Sequence, residues 1–322
     1  MNRDEATPVD TRHFQHVLLV TAVILLPGIL GTLFGWLHVL LPLLVFYYLR
    51  RYGKNLGKKY ILYGCVLAGV GGLIFQIAEQ LLLSLTLIPM GFVLADSVDK
   101  GDAIHLAGIK GAAALAGSWL LVTGVLTLGM AQHPYSLLLE SLNQGMDEAV
   151  EYYRTNSAIP AETIYLLEQT FAQMRTWIPK VLPGILACLI LLATWFTMVA
   201  GNRLLYRKTG SGPWPEYRFW SLPEKLIWAP IISAVLILLP MEPGRTIGIN
   251  VLIISGLLYS FQGLAIMLFF FYKWSVPVFV RSVIYVILFF QSFGAVFLAA
   301  LGVVDVWADT RKLNTPSEET EN

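Results

Sequence analysis

Residues 17–49 read VLLVTAVILLPGILGTLFGWLHVLLPLLVFYYL, a run of 33 residues with no Asp, Glu, Lys or Arg. A bilayer core is about 30 Å thick and is crossed by roughly 20 apolar residues in a helix. The run is therefore too long for one crossing and too apolar for a soluble surface. Pro27-Gly28, Gly31 and Gly35 weaken it in the middle, and Pro42 follows. These breaks divide it into spans at about 17–34 and 36–49, the second of them short. Directly after it, RRYGKNLGKKY (50–60) holds Arg50, Arg51, Lys54, Lys58 and Lys59 with no acidic residue. A basic loop between spans stays on the cytoplasmic side, so this segment orients the chain.

The composition agrees with that reading. Of 322 residues, 56% are hydrophobic and only 13% charged, where a soluble domain carries roughly 25% charged residues. The expected fold is all-α, a polytopic transmembrane helix bundle of about eight to nine spans. A net charge of +1 with no basic patch outside the loops excludes a nucleic-acid partner. Cys65 and Cys188 lie inside apolar runs, which excludes a disulfide-built scaffold.

Outward from the opening run, residues 1–15 are polar, lack helical periodicity and show no cleavage site. They read as a cytoplasmic lead. Further spans are expected at about 60–80, 82–95 and 103–130, so that residues 16–130 hold transmembrane helices one to five. Residues 131–177 are a polar insertion placed outside. Leu138, Leu142, Met146, Val150 and Tyr153, then Ile164, Leu167, Phe171 and Met174, recur there at helical spacing. This predicts an amphipathic helical hairpin. Residues 178–308 hold spans six to nine, at about 178–205, 226–240, 247–271 and 276–304. The last run reads as one long helix, with a broken pair around Gln291-Ser292-Phe293-Gly294 as the alternative; residues 309–322 form a polar tail. Trp36, Trp177, Trp220, Trp228, Trp274 and Trp307 stand near span ends, as interfacial anchors do.

No phosphate-binding loop, HExxH, CxxC or GxSxG is present, and His13, His16, His38, His105 and His133 are scattered without metal-ligand spacing on a shared helix face. No enzyme activity, cofactor or metal is expected. What remains is polar groups at membrane depth, which are costly and usually face a bundle interior or a cavity. Gln76, Glu79 and Gln80 stand at i, i+3 and i+4 near the outer end of span three. A ligand contact and a solvated helix end are both open there, the second favoured. Gln262, beside Gly263 in mid-span, suits substrate contact and inter-helix bonding equally. Asn250 lies on nearly the same face of that span, and Gln291 offers the same amide chemistry in the last. Lys110 is expected to snorkel to the interface, and neither it nor Glu79 has an evident partner of opposite charge. The small residues around Gly108 and Ala112 permit close helix packing.

Three segments carry a family resemblance: Trp220-Ser221-Leu222-Pro223-Glu224-Lys225-Leu226-Ile227-Trp228, Tyr259-Ser260-Phe261-Gln262-Gly263-Leu264-Ala265, and Leu301-Gly302-Val303-Val304-Asp305-Val306-Trp307-Ala308-Asp309-Thr310-Arg311-Lys312. With Pro42, the basic loop and Pro89-Met90-Gly91, they resemble the YybS-like family of bacterial multi-spanning membrane proteins, over roughly residues 17–312. That layout is distantly similar to the substrate-capture subunits of energy-coupling-factor transporters and to a cell-shape membrane protein. The resemblance implies a non-catalytic membrane subunit. This chain has more spans than a capture subunit and adds the hairpin, and no vitamin-binding residues carry over.

Two functions follow as expectations. In the first, Gln76, Glu79, Asn250, Gln262 and Gln291 line an outward-open cavity for a small-molecule solute, with partner membrane subunits supplying energy. In the second, the protein is a scaffold that holds protein partners through the hairpin or the small-residue span. In both, the lipid bilayer is the first partner.

Overall fold

A computed structural model describes residues 11–129, 133–155, 160–291 and 293–313. Among these residues no strand occurs, and the protein is an all-α membrane bundle. The chain divides into two compact units: Met1–Val122 with Ile190–Glu216, and Thr123–Leu189 with Tyr217–Asn322.

The first unit contains α1 (Thr11–Ile29), the short α2 (Gly31–Phe34), α3 (Leu40–Arg51), α4 (Gly53–Ile74), α5 (Ala78–Asp99) and most of α6 (Ile104–Gly129). Its core is built where α1 packs on α4 and α3 on α5, around Val20, Ile24, Leu41, Phe46, Met90 and Leu94. Gly91 lets α5 approach α3 closely. A Cβ there would stand 2.7 Å from the Pro42 carbonyl and 2.6 Å from Val45 Cγ1. The segment after α8 (Ala161–Thr209) is tied down by Asn202. Its amide donates to the carbonyls of Trp214 (3.0 Å) and Pro215 (3.1 Å) and accepts from the Trp214 N–H. Trp214 in turn stacks on Phe46.

In the second unit, α7 (Pro134–Thr155) runs antiparallel to the first part of α8. Two ion pairs clip them together, Arg154 to Glu168 at 2.6 Å and Arg175 to Asp147. The unit continues through α9 (Trp228–Leu238), α10 (Glu242–Lys273), α11 (Val278–Phe290) and α12 (Gly294–Ala308). In both units large apolar side chains are exposed, such as Leu73 and Leu120 in the first and Leu128, Phe289 and Phe290 in the second. Apolar surface on this scale belongs against lipid tails.

Several boundaries differ from the sequence reading. The lead is already helical from Thr11, because His13 and His16 pack onto tyrosines of α3 and α4; residues 1–10 lie outside the described residues. The break in the opening run falls at Leu30, and the candidate crossing is Gly31–Arg51. The basic segment is a tight turn between α3 and α4, made at Gly53 with φ +80°, and its cations stand on the helix ends. Span four is a full 22 residues. The hairpin's second helix and span six are one unbroken helix of 49 residues despite Pro179 and Pro183. A proline at 183 leaves the carbonyl of residue 179 without its helical donor, and the Tyr135 hydroxyl donates to that carbonyl at 3.0 Å.

Five described stretches are long and apolar enough to cross a membrane, or six with the bent pair of α11 and α12 counted as one, where eight to nine were expected. The expected span at 226–240 becomes the 11-residue α9, about 16 Å of helix. The last run is the broken pair, with α11 and α12 meeting at 108°, rather than one long helix.

Candidate polar core and the placement of the expected site residues

The centre of the second unit is the contact of α10 with α12. Gly263 and Gly302 make it possible: a Cβ on Gly263 would lie 1.9 Å from the Leu298 carbonyl oxygen, and one on Gly302 would lie 2.1 Å from that of Tyr259. Backbone meets backbone here, and only a missing side chain permits it. Ser260 adds a hydrogen bond to the Ala295 carbonyl at 2.9 Å. Residues 259–263 of α10 thus meet residues 295–302 of α12 at a close crossing.

Beside this crossing Gln262 is buried, and both ends of its amide are used. Its Oε1 accepts from the Leu222 N–H at 3.1 Å and its Nε2 donates to Asp305 Oδ2 at 3.2 Å. The same carboxylate oxygen accepts from Arg311 Nη2 at 2.9 Å and Nε at 3.3 Å, while Oδ1 accepts the Thr310 N–H at 3.1 Å. Arg311 then extends Nη1 to the carbonyls of Arg218 (3.0 Å) and Trp220 (2.8 Å). The Asp305 and Arg311 side chains are 6% and 0% exposed, so the pair is buried, and each of its carboxylate oxygens and guanidinium nitrogens is hydrogen-bonded. That is the condition under which a buried ion pair is tolerated. Arg218 lies over the Tyr272 ring at 3.5 Å, and the Tyr217 hydroxyl donates to the Phe261 carbonyl at 2.5 Å. One polar core thus joins the 217–222 loop, the C-terminal part of α10, the end of α12 and the turn at 309–313.

Residues 17–306 match the model of a family described as "Predicted membrane protein (DUF2232)". The chain belongs to that family. No curated protein and no solved structure matches it. In this DUF2232 member the matched region takes in Gln262 and Asp305, and, among the described residues, all of α1 to α12 save the first residues of α1 and the last two of α12.

Of the five residues expected to share a cavity, Gln76 and Glu79 belong to the first unit and Asn250, Gln262 and Gln291 to the second. Gln76 sits in the turn between α4 and α5 with φ +57° and is exposed. Glu79 and Gln80 belong to the next helix, so the three do not share a helix face; α4, weakened by Gly71 and Gly72, ends at Ile74. Glu79 and Gln80 are exposed. Asn250 repairs the helix at Pro183: its Oδ1 accepts the Gly184 N–H at 2.5 Å and its Nδ2 donates to the Lys180 carbonyl at 2.7 Å. These are the two groups an unbroken helix would pair with each other. Gln262 belongs to the polar core, and Gln291 is exposed at the bend between α11 and α12. Lys110 has a partner after all, in Asp102 at 2.5 Å. Its ammonium, hydrogen-bonded to Asp102, holds that carboxyl below the usual carboxylate range.

The sequence reading passed over Asp305 as a charge at apolar depth, although VVDVW displays an acid within an apolar helix. That was the available signal, since an ionisable residue in such a run demands a partner. His13 and His16 are not scattered either. His16 lies 3.1 Å from the Tyr48 hydroxyl and 3.2 Å from that of Tyr52, and His13 bonds Tyr60. No group of three or more His, Cys, Asp or Glu side chains able to hold a metal occurs among the described residues.

Proposed function

We propose that the protein is a non-catalytic membrane scaffold whose helical hairpin, α7 with the first part of α8, docks a protein partner. The observation that carries this reading is that the hairpin's second helix continues without a break into the apolar segment after Trp177. A load or contact on the hairpin is thereby passed directly to the membrane-embedded helix. The hairpin is also built to hold its shape, with Arg154–Glu168 and Arg175–Asp147 at successive levels. Between its helices Asp147, Glu148, Glu151, Arg154, Glu168 and Arg175 border an open groove of about 630 Å³. Four carboxylates against two guanidinium groups favour a partner with a basic face. In this reading the protein sits in a bacterial inner membrane with the basic turn at Arg50–Lys59 in the cytoplasm and the hairpin outside.

Scaffolding is preferred to solute capture because Asn250 and Gln262 are occupied in bonds between helices, while Gln76, Glu79 and Gln291 are exposed. Deletion of 135–176 tests the proposal. The expected result is loss of the cross-linked complexes formed by the full chain in membranes, with the remaining helices still inserted. Glu148→Lys with Glu151→Lys should weaken the same complexes without touching the ion pairs. An unchanged set of partners after the deletion refutes the scaffold reading.

A further inference from the structure

A second feature lies in the first unit. Leu49 of α3, Lys54 and Lys58 of α4, and Phe92, Val93, Ala95 and Asp96 of α5 line a groove of about 230 Å³ at one end of these helices. Its wall is apolar and its rim is cationic. Around the same end stand Arg50, Arg51, Lys54, Lys58, Lys59 and Lys100. Asp99 pairs with Arg50 and with Lys54 (2.9 Å), and Asp96 with Lys54 (3.3 Å) and Lys100 (2.6 Å). Arg51, Lys58 and Lys59 are exposed and have no ion-pair partner among the described residues. Six cations thus face two carboxylates, and Lys58 is the uncompensated one on the groove itself.

We infer that this groove binds an anionic phospholipid, with an acyl chain against Leu49, Phe92 and Val93 and the headgroup phosphate at Lys58. A soluble anion would use the ammonium but not the apolar wall, and a neutral lipid the wall but not the charge. The groove also opens at the end of the apolar helices, the depth at which bilayer headgroups lie. Lys54, held by Asp96 and Asp99, is oriented along the rim and shares the phosphate's field. Asp96 does not repel the headgroup, because Lys54 and Lys100 neutralise it.

The test uses the full chain in nanodiscs of equimolar phosphatidylglycerol and phosphatidylcholine, with retained lipid counted by native mass spectrometry after detergent release. The wild-type chain should retain phosphatidylglycerol selectively. Lys58→Gln should cut that selectivity about fivefold, the equivalent of about 1 kcal/mol for one lysine at an anionic surface, and Lys58→Arg should keep it. Val93→Trp, which fills the groove and leaves every cation in place, should abolish it. Lys208→Gln, an exposed lysine elsewhere, should change nothing. Selectivity that survives both Lys58→Gln and Val93→Trp, or falls equally with Lys208→Gln, overturns the proposal in favour of general surface charge. Equal competition by free glycerol phosphate overturns it in favour of a soluble phosphate ligand.

Discussion

Replacing Arg311 by Met tests whether the buried polar core holds the second unit together. The substitution keeps most of the side chain's bulk and removes its charge. Asp305, 6% exposed, is left with its negative charge in an apolar setting, supported only by Thr310 and Gln262. The carbonyls of Arg218 and Trp220 lose the donor that now reaches both, at 3.0 and 2.8 Å. Breaking one partner of a buried ion pair costs about 3–5 kcal/mol, and each orphaned carbonyl about 1–3 kcal/mol where water cannot reach it. Both carbonyls lie in a loop that can move outward, so the ion-pair figure governs and a loss of about 3–5 kcal/mol is expected. The assay is unfolding in mixed micelles with rising sodium dodecyl sulfate, followed by circular dichroism. Limited proteolysis near Ser221 reports release of the loop. The double variant Asp305→Leu with Arg311→Met should recover much of the loss, because no lone charge remains. If Arg311→Met alone costs less than about 1 kcal/mol, the range of an exposed pair, or if the two substitutions simply add, the pair is not the lock described here.

Three further outcomes are expected. Gly263→Ala drives a Cβ to 1.9 Å from the Leu298 oxygen, so α10 and α12 must separate; a loss of about 1–3 kcal/mol or more should appear in the same unfolding assay, while Gly256→Ala on an open face should be neutral. Lys312→Cys and Lys225→Cys, in a background with Cys65 and Cys188 replaced by Ala, should react with an impermeant thiol reagent from the same side of the membrane, because Arg311 binds the 217–222 loop, and Gly244→Cys from the other; opposite labelling of 312 and 225 would refute that contact. The Asp102 carboxyl is held down by Lys110, so the stability this pair contributes is present above the usual carboxylate range, about 3.9, and is lost as pH falls through the depressed folded value. Lys110→Met should therefore lower the thermal midpoint at neutral pH and converge with the wild type in acid, and a gap that stays constant into acid would show that the pair contributes nothing.

The helical membrane class was legible because it depends on sums: long apolar runs and few charges leave no other fold. Residues that act through pairs were not legible. Asn250 was visible as an amide near a span end, yet its partner is a proline-broken turn 66 residues earlier, which periodicity within one helix cannot reveal. The continuity of α8 through Pro179 and Pro183 was hidden for the same reason. Proline is read as a stop from local sterics, and a hydroxyl from another helix satisfies the carbonyl it frees. The grouping of Gln76 with Glu79 failed on backbone geometry, since helical spacing places residues on one face only if the helix persists. Gln262 stood open between ligand contact and inter-helix bond, and its bonds to Leu222 and Asp305 join partners 40 and 43 residues away that helical periodicity cannot name.

The position of Arg311 also settles the course of the last helices relative to α10. The 217–222 loop touches α10 from Phe261 to Tyr272, which is its C-terminal third. Arg311 binds that loop, so the chain after α12 stands at the same end of α10 as the chain that enters α11. Between these two points lie α11, of 13 residues, and α12, which meet at 108°, and this bend brings the end of α12 to the loop. Two glycines then allow α12 to close against α10, and the Asp305–Arg311 pair fastens the end. A charged pair in an apolar bundle stabilises little by itself compared with well-packed hydrophobic residues; its distinctive effect is to penalise every arrangement in which the two ends of the α11–α12 pair part. The polar core is best understood as specifying the course of the last helices, which apolar packing alone would leave free to run straight through the membrane.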